Sequence, residues 1–177
     1  MVDRMIRATK ADVALYEEAE ATPTLQNEAV TIVAIVAVIG ALGSLVVGAA
    51  TGSGVGSALV GAIFQGIAVM VGYFLWSYIA FFVGTRLFNG TADYGELLRT
   101  IGYAQSPNVL SFIPCIGFLA ALWSLWLSVV AIRQALDFDT GKALLTSLVG
   151  FIVYVILLAI VGSVFGVGAA ALGAVGR

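Results

Sequence analysis

The densest chemistry in the chain is Asp93, Tyr94, Glu96, Arg99 and Tyr103, within the stretch GTADYGELLRTIGYAQSPNVLSFIP between two long apolar tracts. Two carboxylates and a phenol could in principle serve interfacial acid–base hydrolysis, but three polar residues at a helix start are a nonspecific pattern. Histidine is absent, which removes the commonest general base and the commonest metal ligand. A lone cysteine, Cys115, rules out an intrachain disulfide and a multi-cysteine metal site. Asp137-x-Asp139-x-Gly141 has the outline of a calcium loop without its remaining ligands, and Thr140 as a helix cap explains it better. No catalytic residue, metal or cofactor is expected.

Asp93 with Glu96 three positions on is the pattern of a capping box opening a helix. Tyr94, Leu97, Leu98 and Ile101 share the apolar side of that helix, and Glu96 and Arg99 are close enough to pair. The polar set reads as a binding surface for a partner, with Tyr94 and Tyr103 as amphipathic contacts.

The elements that hold this set are set by composition. A hydrophobic fraction of 61%, a charged fraction of 10% and 21 glycines describe a polytopic membrane protein rather than a water-soluble domain. The expected fold is all-α, five transmembrane helices over about residues 30–50, 58–83, 97–114, 118–136 and 143–169. An amphipathic cytosolic or interfacial segment, 1–28, precedes a membrane domain, 29–177. Val2, Met5, Ile6, Val13, Tyr16 and Ala19 recur at helical steps along that segment, so they share one face of a helix. The opposite face carries Asp3, Arg4, Arg7, Lys10, Glu17 and Glu18 and is expected to be solvated.

The third span should be short and distorted, with Gly102, Pro107 and Pro114 as its hinge or kink. Carbonyls freed by Pro107 could be satisfied by Ser106, Asn108 or Ser111. Seams of small residues at Gly40, Ser44 and Gly48, at Ala58, Ala62 and Gly66, and at Gly162, Gly166 and Ala170 serve close helix packing. That packing is read as intramolecular, with a homo-oligomer interface as the alternative.

Five spans place all ten carboxylates, and every Lys and Arg except Arg177, on one face or at its edge. The positive-inside rule makes that face cytoplasmic and puts the C-terminus outside. The middles of the spans hold no ionisable Asp, Glu, Lys, Arg or His, which argues against a proton relay. They do hold amides, and Gln65, Gln105 and Asn108 could line a conduit for a small solute or lipid. No basic block suggests nucleic acid.

The layout resembles the Yip family, named for its Ypt/Rab-interacting members. The resemblance rests on DYGELLR and GYAQSP at the third span, the Pro114–Gly117 turn, the Trp123-bearing helix and TGKALL before the last span. It implies a five-helix membrane domain with a cytosolic N-terminus, and marks Asp93, Tyr94, Glu96, Gly102, Tyr103 and Pro107 as motif positions. In eukaryotic relatives it implies partnership with Rab GTPases in vesicle traffic. Those relatives carry a long soluble N-terminal region that this chain lacks; the likeness to prokaryotic relatives, which have no settled role, implies the plasma membrane of a prokaryotic cell. The expectation is a non-enzymatic, membrane-organising or adaptor protein that touches membrane lipids and a cytosolic or membrane protein through its charged face.

Overall fold

A computed structural model describes the backbone of residues 1–52, 54–113 and 115–175, and the side chains of those residues up to 160. The regular elements among them are all helical: α1 (Val2–Thr9), α2 (Val13–Ala21), α3 (Gln26–Ala50), α4 (Val55–Leu87), α5 (Tyr94–Ala104), α6 (Ile116–Ala135) and α7 (Thr140–Val175). Short 3-10 turns occupy Pro23–Leu25 and Ser106–Leu110. The hinge expected at Pro114 and the seam expected at Gly162, Gly166 and Ala170 lie outside the residues so described.

Among the described residues, four segments are long and apolar enough to cross a bilayer: Pro23–Ala50, Val55–Leu87, Ile116–Ala135 and Thr140–Ile160. Only 11% of the most apolar stretch of α4 is covered by protein, and Ile63, Phe64 and Val71 stand more than half exposed. Apolar surface on that scale needs hydrocarbon around it. The chain is an integral membrane protein.

Small residues bring the long helices together. A Cβ on Gly48 would sit 2.9 Å from Ala58 Cβ, and one on Gly66 would sit 3.7 Å from the Ala37 carbonyl oxygen. The seam on α3 and the stripe on α4 thus meet within one antiparallel hairpin. α7 runs back along α4, with Gly150 facing Trp76 and Ile79. At the other end of α4, Gly84 leaves room for the Leu136 side chain, so α4 and α6 end side by side. Around that junction lies the core, including Leu97, Ile101, Leu127, Ile132 and Leu136, all essentially buried.

Two expected elements take another form. The segment expected to span over 97–114 is not one helix. α5 has 11 residues, about 17 Å of rise, and gives way at Gln105 to the 3-10 turn. Pro107 is the cause: it has no N–H to offer the Tyr103 carbonyl, and its ring cannot pass that carbonyl in an α-helix. The Ser106 hydroxyl donates to that same oxygen at 2.6 Å, as expected of a freed carbonyl.

The N-terminal segment is two helices, not one. Ala11 adopts φ 56°, a left-handed conformation that turns the chain between α1 and α2. The turn breaks the seven-residue step from Ile6 to Val13. Tyr16 and Ala19 are buried and Met5 packs against the core, whereas Val2, Ile6 and Val13 face outward. The charged face is not simply solvated either. Arg4 bridges Glu18 at 2.9 Å and Glu28 at 3.2 Å, while Arg7 bridges Asp12 at 2.7 Å and Glu18 at 3.2 Å. These pairs tie α1 to α2 and to the start of α3.

Candidate functional site

The charged stretch after α4 turns mostly inward. Asp93 Oδ1 accepts from Glu96 N at 2.8 Å and Glu96 Oε2 accepts from Asp93 N at 2.7 Å, so both carboxylates close the capping box of α5. Tyr94 is half-buried, its ring edge-on to Tyr78 at 5.8 Å and its hydroxyl donating to the Phe74 carbonyl. Tyr103 is fully buried and donates to Glu28 Oε1 at 2.9 Å.

Arg99 does not pair with Glu96. Its Nε donates to Ala19 O at 2.7 Å and one terminal nitrogen to Glu20 O at 2.6 Å. The guanidinium thus finishes α2, whose last carbonyls have no helical partner and whose negative end favours a cation. Gly102, expected at a hinge, is a point of close packing. It lies inside α5, where a Cβ would come 2.9 Å from Ala29 Cβ and 3.2 Å from the Tyr73 hydroxyl. The five residues expected to form a partner surface are therefore split between an exposed edge, Asp93, and the interior, Arg99 and Tyr103.

A different polar surface forms at the same end. Glu17 and Glu20 on α2, Glu96 on α5 and Asp137 after α6 gather from segments up to 120 residues apart. Burial, and then the charges of Asp137, Glu96 and Glu17, push the Glu20 carboxyl above its ordinary value against the opposing pull of Arg99. Asp137 accepts from the Thr91 hydroxyl at 3.0 Å, pinning the α6–α7 turn to the α4–α5 turn. Sequence inspection singled out Glu96 but missed the other three, because nothing local links them.

The second polar feature lies among the membrane helices. A cavity of about 510 Å³ opens between α3, α4, the 3-10 turn, α6 and α7. Gln65, Gln105 and Asn108 all line it, together with Ser111, Ser124 and Ser128. Asn108 Nδ2 donates to Gln105 Oε1 at 2.7 Å, holding two amides in one wall. Trp76 and Tyr154 supply an aromatic wall, ring to ring at 6.1 Å and 88°. Ser124 and Ser128 were missed in the sequence, although two serines four apart in an apolar helix share one face. Among the described residues, no cluster of His, Cys, Asp or Glu is arranged to hold a metal ion.

Comparison with known proteins gives one match. The family model described as the Yip1 domain covers residues 13–172 of the chain. No curated protein and no solved structure matches it.

Proposed function

We propose a role for this chain from the premise that it belongs to the Yip1 domain family: it is a non-enzymatic membrane adaptor whose charged end faces the cytoplasm and receives a basic segment of a partner protein. The convergence of Glu17, Glu20, Glu96 and Asp137 on one surface carries this reading. Like charges brought together from three segments cost folding free energy, and a cationic partner offsets that cost. Asp93 and Asp139 extend the negative surface, and both are exposed.

Five traverses of the bilayer fit the packing better than four. α4 and α6 end side by side, so both run toward the same face. If both cross the bilayer, the chain between them must return. That return is α5 with the 3-10 turn, about 26 Å of combined rise. An odd number of traverses separates the termini, with the N-terminus on the cytoplasmic face, where every Lys and Arg except Arg177 also lies. α1 then lies along that face with Val2 and Ile6 turned to the headgroup layer.

The test is affinity capture with the full chain reconstituted in lipid nanodiscs. The variant Glu17→Gln/Glu20→Gln/Asp137→Asn removes three charges and leaves the capping box intact. Partners captured by the parent chain should fall away from the variant and in high salt. Retention of every partner would overturn the reading.

A further inference from the structure

We infer that the cavity between α3, α4, α6 and α7 is a binding site for an uncharged, polyhydroxylated group. Its 510 Å³ falls in the roughly 300–1,000 Å³ range of small-molecule sites. Its polar lining is made of neutral amides and hydroxyls. Among the described residues, no Asp, Glu, Lys, Arg or His lines it, so a charged ligand would be stripped of water with no counter-charge to receive it.

The buried wall of the cavity gives an independent sign of a ligand. Ser124 is 3% exposed and its hydroxyl has no hydrogen-bond partner among the described residues. Such a group costs stability when left unsatisfied, and a ligand oxygen in the cavity would satisfy it. The other donors and acceptors converge on the same space. The Gln105–Asn108 pair uses one amide nitrogen and one amide oxygen, leaving the Gln105 nitrogen and the Asn108 oxygen for a ligand. Gln65 stands exposed at the rim, where it can meet a ligand entering from the side. Trp76 and Tyr154 present ring faces and edges suited to the C–H surface of a sugar or other polyol.

A free polyol and the glycosyl headgroup of a lipid carry the same chemistry, and the experiment separates them. The full chain with Trp123→Phe and Trp126→Phe keeps Trp76 as its one tryptophan. In nanodiscs of phosphatidylcholine its emission is titrated with glycerol, inositol and glucose, and separately with glycosyl diacylglycerol or phosphatidylglycerol added to the bilayer. A saturable shift with a free polyol assigns a soluble ligand. A shift with the glycosyl lipid alone assigns a lipid headgroup.

In either case Ser124→Ala should weaken binding about 3- to 10-fold while raising the thermal midpoint of the unliganded chain, since it deletes an unsatisfied buried hydroxyl. Ser124→Leu, which replaces the hydroxyl with apolar bulk in the cavity wall, should abolish the shift. The inference is overturned by no saturable shift with any neutral probe, by an equal response to phosphatidylglycerol, or by binding that survives Ser124→Leu. None of these outcomes bears on capture of a protein at the acidic face, so the two readings fail separately.

Discussion

Arg99 illustrates how one side chain can be mistaken for surface chemistry. Glu96 three positions earlier is a local partner visible in the sequence, but the guanidinium reaches instead to Ala19 and Glu20, about 80 residues away. Only tertiary packing places α2 there, so no local spacing could reveal it. The residue is 5% exposed and makes two charge-assisted bonds. Arg99→Ala should therefore destabilise the folded chain by roughly 2–3 kcal/mol. Arg99→Lys should recover part of this, because an ammonium cannot reproduce the two-pronged geometry. Thermal unfolding in detergent, read beside the rate of proteolysis within α2, would check both. The capping box, by contrast, was legible, because Asp93 and Glu96 need only their own backbone.

Among the elements, α1 and α2 hold the clearest pH dependence. Hydrogen bonding from Arg7 lowers the Asp12 carboxyl below its usual 3.8, and hydrogen bonding from Arg4 lowers that of Glu18 below 4.5. A depressed carboxylate stabilises the folded state above its unfolded pKa and loses that contribution as pH falls through the folded value. Glu20 has the opposite sign. Burial raises its pKa, so protonation in mildly acidic solution favours the folded state. The attachment of α1 to α2 should thus hold as pH falls from neutral and loosen below about pH 4, whereas the packing of Glu20 beside Glu96 and Asp137 should tighten slightly in mild acid. Protease cleavage near Ala11, followed against pH, would read the loosening directly. Periodicity misjudged these elements because it carries no information about a left-handed residue in the middle of the repeat. Pro107 was a better guide: it marked where α5 would fail, though not that the remainder would tighten into a 3-10 turn.

At the scale of the whole molecule, apolar length and charge distribution disclosed the membrane helices and the charged end. The sequence could also pick out Gln65, Gln105 and Asn108 as unusual in apolar surroundings. It could not show that they share a cavity with Ser124 and Tyr154, since five elements must assemble first. The proposed five traverses make a prediction that depends on parity alone. In a Cys115→Ser background, a cysteine placed at Asp139 should react with a membrane-impermeant maleimide only after the cells are opened. One placed at Thr51 should react on intact cells, as should one appended after Arg177. Labelling of positions 51 and 139 from the same side would exclude the arrangement.

The unequal lengths of α4 and α6 have a mechanical consequence. α6 ends level with Gly84 but has only 20 residues, so it begins about ten residues, roughly 15 Å, short of the start of α4. One end of the molecule therefore carries α1, α2 and α5 beside the long helices, and the other narrows to α3, α4 and α7. A body tapered in this way displaces more lipid from one leaflet than from the other. Crowded together, many copies would bow the sheet outward on the acidic side, coupling the local density of the protein to membrane curvature.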